Sequence, residues 1–171
     1  MQRRVEIEIT TSLAADPEAV WQSVSNMHGV NYELHPFLHM TSPRNARALP
    51  TAPRPGQVAF RSWLLLFGVL PFDRHSLALD EVERGRGFIE ESSTWLHRRW
   101  RHERSLSPLP HGGCTVSDRL LVEPRVPPIG PVVAGIVGRL FAHRHRRLTK
   151  RFGAATAADG TEPVTGPQGH A

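Results

Sequence analysis

Cysteine is almost missing from this sequence, with Cys114 as the single one among 171 residues. A lone cysteine cannot form an internal disulfide bond, so the fold depends on core packing and suits a reducing cytoplasm. No apolar run approaches the ~18 residues that a membrane-spanning helix needs, and the opening MQRRVEIEIT lacks the apolar region of a secretory signal. These absences predict a cytoplasmic protein without a membrane span.

The short motifs of nucleotide, flavin and metal chemistry are also missing. The sequence has no Gly-rich phosphate loop, no Gly-x-Ser-x-Gly turn and no paired metal-ligand motif. His143 and His145 are two residues apart and do not share one helical face, which argues against a metal site there. Cys114 is expected to be a small buried hydrophobe rather than a nucleophile. We therefore predict no metal and no cofactor.

The most prominent stretch that is present runs from Pro128 to Phe152 and has the pattern of a long amphipathic helix. Apolar residues recur at helical spacing from Val133 to Phe152, and basic residues fall mainly between them. Pro131 suits the first turn, and Gly153 stands where a C-terminal cap belongs. Such a helix needs a large apolar partner, so the space between it and the preceding strands is where a functional site is expected.

The elements before this helix alternate in type. Residues 4–11 alternate apolar and polar side chains as a half-buried strand does, and Asp16 and Pro17 then begin a short helix that Gly29 is expected to break. A second short helix or structured turn follows and ends near His35. Residues 41–56 form a long loop. Five further strands of an antiparallel meander are predicted at 57–67, 72–82, 87–95, 99–106 and 114–123.

This element order predicts an α+β domain over residues 1–153, followed by a disordered tail over residues 154–171. The stretches VEIEITTSLAADPEAVWQSVSN, WRHERSL, CTVSDRLLVEP and LFAHRHRRL resemble the START-like SRPBCC superfamily, which includes polyketide cyclases and lipid-transfer domains. The resemblance implies a helix-grip fold, in which a curved antiparallel sheet wraps the long C-terminal helix around a pocket. It implies no particular reaction, because this fold serves both carriers and catalysts.

The last hairpin predicts which side chains line that pocket. If Pro110 is the centre of the turn, His102 pairs with Asp118, Trp100 with Leu120, and Arg104 with Val116. These even positions form the more apolar face, which is expected to point inward. A carboxylate beside an imidazole can act as a general base or as an anchor for a polar ligand, so His102 and Asp118 are the candidate catalytic pair. The alternative is a pair that only stabilises the sheet.

Further residues are predicted to line the pocket from other elements. Residues on the central strands and the long helix, with one near the pocket mouth, complete the set: Trp63, Arg74, Thr94, Tyr32, Val137, Leu140 and Phe141. The faces of the central strands remain open in this prediction, because residues 63–67 form a continuous apolar run.

Three functions stay open at this point. The first is binding of a small hydrophobic or aromatic molecule, such as a lipid or polyketide, by a monomer or homodimer. The second is a polyketide aromatase/cyclase in which His102 and Asp118 move protons and Arg104 stabilises an enolate. The third is contact of the basic segment 142–151 with a membrane surface or an acidic partner. The sequence has a net charge of +5, but no nucleic-acid-binding motif accompanies the basic residues. We therefore predict that the protein does not bind nucleic acid.

Overall fold

The structure is a computed structural model that describes residues 4–155. From residue 156 onward, the predicted tail lies outside the described residues. The strands are β1 Val5–Leu13, β2 Leu38–Met40, β3 Val58–Leu66, β4 Leu70–Glu83, β5 Gly87–Thr94, β6 His97–Pro108 and β7 Cys114–Pro124. The helices are α1 Pro17–Val24, α2 Met27–Leu34 and α3 Gly130–Phe152, and a short 3₁₀ turn, Pro127–Ile129, precedes α3.

The seven strands form one antiparallel sheet in the order β1-β7-β6-β5-β4-β3-β2. Helix α3 crosses the concave face and packs chiefly on β1. At its end, the N–H of Gly153 donates to the carbonyl oxygen of Thr149, and the carbonyl oxygen of Gly153 accepts the N–H of Ala14. Ala154 then forms a β-bridge with Leu13. The predicted helix-grip architecture is confirmed.

Helices α1 and α2 approach each other closely at Gly29, which lies inside α2 rather than between the two helices. Asp16 caps α1 by accepting the N–H of Glu18 at 2.8 Å, as its position predicts. The prediction that Gly29 breaks the helix is wrong, because Gly29 lies inside α2. A Cβ atom at this position would be only 1.8 Å from the carbonyl oxygen of Ser23. The glycine therefore lets the two helices approach each other closely.

Strand β2 is an element that the sequence pattern did not reveal. Its three residues pair with the end of β3, and they are too few to show an alternating pattern. The side chain of Asn31 holds the strand by accepting the N–H of Met40 at 2.7 Å and donating to its carbonyl oxygen at 3.0 Å. An amide side chain thus supplies the hydrogen bonds that another strand would otherwise make.

The core lies between the concave face of the sheet and the helices, in two apolar clusters. The first joins α1, α2 and the middle of the sheet, and includes Cys114 and Leu148; the second joins β1 and β7 to Val137 and Phe141 of α3. Burial raises the pKa of the Cys114 thiol, which suits a packing residue rather than a nucleophile. Within residues 4–155, none of the helices combines the length and apolar character needed to cross a membrane.

The basic segment of α3 is not one solvated face. Arg146 and Lys150 are exposed, but Arg144 and His145 are buried. The helical pattern was interpreted as an apolar face against a basic one, and this part of the prediction is wrong. Arg144 and His145 point into the domain, where they pair with buried carboxylates of α2 and β7.

Candidate functional site

A cavity of about 360 Å³ lies between the sheet and α3. Most of its wall is apolar and comes from α1, α2, the central strands and α3, including Met27, Leu77, Leu79, Phe88, Val137 and Phe141. A wider depression of about 640 Å³ beside α2 and residues 39–48 is more open, and no carboxylate lines it. The more enclosed cavity is therefore the candidate site, because it combines an apolar interior with a few polar groups.

The polar groups of the cavity wall come mainly from three neighbouring strands. Alternation along β4, β5 and β6 turns His75, Glu90 and His102 toward the concave face. His75 Nε2 lies 2.6 Å from Glu90 Oε1, and His102 Nδ1 lies 3.7 Å from Glu90 Oε2. Burial opposes ionisation of Glu90, yet the two imidazoles hold the pKa of this carboxyl below its ordinary value. One carboxylate thus lies between two histidines beside the cavity.

A second carboxylate, Asp118, lies behind this wall. Its oxygens accept N–H groups of Arg104 at 2.6 and 2.7 Å, and each oxygen also lies 2.9 Å from an imidazole Nε2, from His102 on one side and His145 on the other. Asp118 is fully buried. Burial works against its charge, but Arg104 and His102 hold its pKa well below the ordinary value. Its acceptor sites are taken up by the protein itself.

Arg104 connects this carboxylate to helix α2. Its guanidinium donates to both oxygens of Glu33 at 2.9 and 3.0 Å, and Arg144 Nε donates to the same carboxylate at 2.9 Å. Burial alone would raise the pKa of Glu33, but the two arginines outweigh it and hold the pKa below its ordinary value. The resulting buried ionic network links α2, α3 and the sheet directly beneath the cavity.

His97 occupies a separate part of the cavity wall, at the turn between β5 and β6. Thr94 Oγ1 accepts the backbone N–H groups of Leu96 and His97, and it lies 3.1 Å from His97 Nδ1. Because both acceptor positions of the hydroxyl are used, its hydrogen is directed to Nδ1, which leaves Nε2 as the N–H of the neutral ring. Burial lowers the pKa of His97 and thus favours this neutral form.

Comparison with known protein families identifies the family of this chain. The sequence pattern described as "Domain of unknown function (DUF8410)" matches residues 11–152. This chain belongs to the DUF8410 family. Among curated proteins, none matches the sequence of this DUF8410 member.

Solved structures resemble this DUF8410 domain in fold. Protein CV1439 from Chromobacterium violaceum has a TM-score of 0.65 at 15% identity, covering 88% of this chain and 99% of that one. A START superfamily protein from Mycobacterium smegmatis has a TM-score of 0.62 at 16% identity, covering 86% and 96%. The ZhuI aromatase/cyclase from Streptomyces sp. R1128 has a TM-score of 0.64 at 11% identity, covering 87% and 93%. The DUF8410 domain thus has the START-like fold.

Six of the sequence-predicted site residues line the cavity of the DUF8410 domain: Thr94, Trp100, His102, Val137, Leu140 and Phe141. Four others lie on the same concave face but beneath the cavity surface: Arg104, Val116, Asp118 and Leu120. Val116 and Leu120 are covered by the two apolar clusters, and the two charged residues are covered by their ion pairs.

Three predicted pocket residues lie away from the cavity. Trp63 and Arg74 alternate with residues that line it, so they project from the opposite face of the sheet, where the guanidinium of Arg74 lies 5.5 Å from the Trp63 ring. Tyr32 lies beneath Arg147, whose guanidinium is 4.0 Å from its ring. The apolar run in β3 hid the alternation that would have placed Trp63 correctly.

The register of the last hairpin also differs from the prediction. Arg104 lies opposite Asp118 and His102 opposite Leu120, a shift of two residues. The loop between Pro108 and Cys114 has its centre at His111, because Gly112 and Gly113 both take positive φ angles. A shift of two keeps every side chain on its face, so His102 still reaches Asp118 diagonally.

Sequence reasoning missed several polar residues of the site, namely Glu33, Asp73, His75, Glu90, His97 and Arg144. Glu90 alternates in phase with Phe88 and Ser92, which was a usable signal for its inward orientation. Glu33 and Arg144 are 111 residues apart and carry no local signal of their pairing. Among residues 4–155, no group of three or more acidic, histidine or cysteine side chains is arranged to hold a metal ion.

Proposed function

We propose that this protein binds a small hydrophobic or aromatic molecule with a polar group in the cavity between the sheet and α3. The observation that carries the proposal is the cavity itself, whose apolar wall is interrupted on one side by His75, Glu90 and His102. Its volume of about 360 Å³ falls within the ~300–1,000 Å³ of small-molecule sites. The apolar wall would hold the body of the ligand, and the polar groups would orient it.

Hydrogen-bond capacity gives the polar group of the ligand a definite chemistry. His97 lines the cavity, and its neutral ring keeps Nε2–H as the donor because Thr94 engages the other ring nitrogen. A ligand carbonyl or hydroxyl oxygen can accept this hydrogen bond. Glu90 lies on the same wall as a charged acceptor and favours a ligand hydroxyl over a ligand carboxylate, since two carboxylates would repel each other.

A substitution that fills the cavity tests the proposal. Leu140 lines the cavity on α3 and is only half buried, so Leu140→Trp should fill the space without disturbing the deep core. Fluorescence titration with N-phenyl-1-naphthylamine, an uncharged apolar probe, should give at least tenfold weaker binding for this variant. Arg146→Trp, on the exposed face of the same helix, is the matched control and should bind as the unmodified protein does. Equal binding by both variants would overturn the proposal.

A second candidate function is aromatase/cyclase-type proton transfer, and the placement of Glu90 between His75 and His102 favours it. In this alternative His102, held by Asp118 through Nε2, would exchange a proton at Nδ1 with a poly-carbonyl substrate. The structural likeness to an aromatase/cyclase supports the fold for this chemistry, not the chemistry itself. The predicted role of Arg104 as an enolate stabiliser is not carried forward, because Glu33 and Asp118 engage its guanidinium away from the cavity.

Binding and turnover separate the two candidates. His102→Gln should preserve binding of the apolar probe under either function, because the cavity keeps its shape. Only under the enzyme reading should the same variant lose at least 100-fold in cyclised product from a synthetic poly-β-ketone thioester. Native mass spectrometry of protein isolated from its own host would identify a retained ligand, and a bound mass would favour the carrier function.

A further inference from the structure

The exposed large apolar side chains gather at one end of the domain. The β3–β4 hairpin, the β5–β6 turn and the β7–α3 connection all lie at that end, because consecutive strands of an antiparallel sheet alternate in direction. Hydrogen bonds join them, from Trp95 N to Arg74 O at 3.2 Å and from Arg125 N to Leu96 O at 3.0 Å. We call the exposed large apolar side chains of this end, including two from the first turns of α3, the apolar rim: Phe67, Val69, Leu70, Trp95, Val132 and Ile136.

The two ends of the domain differ in exposed apolar surface. At the rim, Val69 in the hairpin is 79% exposed and Val132 on α3 is 62% exposed. Among residues 4–155, Val58 at the start of β3 is the one strongly exposed large apolar residue that lies far from the rim. Scattered exposed apolar residues are normal on a protein surface, but a concentration at one end marks an interaction site.

The apolar rim is continuous with the interior of the cavity. Phe72, Leu96 and Ile136 are exposed to solvent and also line the cavity, so they form its mouth. An apolar molecule that passes through this mouth would cross from one apolar surface to another. The rim therefore surrounds an entrance rather than covering an unrelated part of the sheet.

The charges near the rim favour an anionic partner. Arg98, Arg125 and Arg139 are exposed close to the rim, and none of them lies within ion-pair distance of a carboxylate in the described chain. The nearby carboxylates are already engaged, with Glu91 bonded to Arg99 and Glu123 to Arg4. Apolar tips surrounded by arginines match a membrane interface, where side chains enter the acyl region and cations meet lipid phosphates.

The aromatic residues and the shape of the rim favour a bilayer over a folded partner. The Trp63 and Trp95 rings meet edge to face at 5.0 Å, beside the Arg74 guanidinium, and tryptophan is the residue typical of the membrane–water boundary. The rim combines the β3–β4 hairpin and the β5–β6 turn with the first turns of α3, so its apolar residues do not form one flat strand or helix face. A fluid bilayer accommodates such a surface without shape complementarity, whereas a protein interface requires it.

We propose that the apolar rim docks on the surface of an anionic lipid bilayer with the cavity mouth facing the lipid. This surface differs from the basic segment 142–151, whose exposed Arg146 and Lys150 lie toward the other end of α3. The docking does not depend on which ligand the cavity holds. It would let an apolar ligand pass between cavity and bilayer without crossing water.

Vesicle sedimentation tests the docking. The full chain should bind vesicles of phosphatidylcholine with 30% phosphatidylglycerol and should bind pure phosphatidylcholine vesicles at least tenfold more weakly. The double variant Val69→Asp/Val132→Asp should lose at least tenfold in affinity for the anionic vesicles. Val58→Asp, the control for each single variant Val69→Asp and Val132→Asp, makes one such substitution at the other end and should bind as the unmodified protein does. Circular dichroism and thermal melting should show that these variants remain folded.

Two further measurements keep the test decisive if the double variant is poorly folded. Arg98→Glu and Arg139→Glu, both exposed, should each weaken binding to the anionic vesicles by about fivefold or more. In the unmodified protein, bilayers containing brominated phosphatidylcholine should quench the fluorescence of Trp63 and Trp95, which are the more exposed tryptophans. Absence of quenching together with absence of sedimentation would overturn the proposal.

The remaining outcomes also decide against docking at the rim. Loss of binding with Arg146→Glu/Lys150→Glu, but not with the rim variants, would assign the lipid contact to the basic segment. A dimer seen by analytical ultracentrifugation and disrupted by Val69→Asp, without vesicle binding, would assign the rim to a second copy of the chain. Binding of N-phenyl-1-naphthylamine that is weakened by Leu140→Trp but unchanged in Val69→Asp/Val132→Asp reports the cavity independently of the rim, so failure of docking and failure of ligand binding can be told apart.

Discussion

Arg104 and Asp118 face each other across β6 and β7, and the Arg104 guanidinium donates to both carboxylate oxygens at 2.6 and 2.7 Å. The same guanidinium donates to both oxygens of Glu33 on α2. All three side chains are fully buried. Burial works against the guanidinium charge, but the two carboxylates raise its pKa above the ordinary value. Arg104 therefore links helix α2 to the sheet beneath the cavity through two buried ion pairs.

Replacement of Arg104 should destabilise the fold strongly. Arg104→Met keeps much of the side-chain volume but leaves the charges of Glu33 and Asp118 without their main partner. Breaking one side of a buried ion pair typically costs about 3–5 kcal/mol, because an uncompensated charge remains in the interior. Urea unfolding followed by circular dichroism measures this loss.

The matched control is Arg119→Met on the neighbouring strand. Arg119 pairs with Glu8 at 3.4 Å on the exposed side of the sheet, where such a pair contributes about 0–1 kcal/mol. If the two variants unfolded at the same urea concentration, the Arg104 network would have no special role in stability.

Acid should weaken the protein through the same network. The pKa of Glu33 and that of Asp118 are lower in the folded state than their ordinary values of 4.5 and 3.8. Their contribution to the free energy of unfolding is fully present above about pH 5, and it is lost as the pH falls through the unfolded and then the folded pKa values. Urea titrations at pH 5, 4 and 3 should show a steep decrease over this range.

Asp118→Asn checks the origin of that decrease. The variant is less stable at every pH, because Arg104 and His102 lose their charged partner, but one titrating group has been removed. Its free energy of unfolding should therefore fall less steeply between pH 5 and pH 3. Identical slopes for the two proteins would assign the acid sensitivity to other carboxylates.

The local patterns predicted the architecture but not the ionic network. Alternation in β1, β6 and β7 and the long apolar stripe of α3 are each contained in a few neighbouring residues. The contact of His102 with Asp118 was predictable because both lie on the same face of one hairpin, even with a two-residue error in register. The shift itself arises in the loop, where a Cβ on Gly113 would be 2.3 Å from the carbonyl oxygen of Leu13, a contact that the hairpin alone does not show.

The unpredicted half of the network depends on distant segments. Glu33 on α2 resembles an ordinary polar residue of a short helix until Arg104 and Arg144 approach it from β6 and α3. The basic run 142–151 likewise resembles a solvated face because sequence alone does not reveal which of its positions meet a buried carboxylate. Ion pairs between residues more than 70 positions apart depend on tertiary packing, so the hydrophobic periodicity of the sequence does not predict them.

Two helical glycines should respond in opposite directions to alanine. In Gly29→Ala the new Cβ would lie 1.8 Å from the Ser23 carbonyl oxygen, so α1 and α2 must separate and the protein should lose several kcal/mol. Gly138 in α3 has no atom within 4 Å of the corresponding position. Gly138→Ala should therefore stabilise the helix by about 0.5–1 kcal/mol. Thermal melting of both variants measures the contrast, and a similar sign for the two would contradict the close packing at Gly29.

His97 should be a neutral Nε2–H imidazole at neutral pH. Burial lowers the pKa of His97 below its ordinary value of 6.5. Between the folded and the ordinary pKa, the unfolded chain binds more protons than the folded chain. The contribution of His97 to the free energy of unfolding is therefore lost as the pH falls below about 6.5. Long-range ¹H–¹⁵N correlation spectra at pH 7.5 identify the tautomer directly. Thr94→Val removes the hydroxyl that engages Nδ1 and should produce a mixture of tautomers, whereas Thr94→Ser keeps the hydroxyl and should retain the Nε2–H form. An Nδ1–H ring in the unmodified protein would contradict this assignment and would remove the proposed donor from the cavity wall.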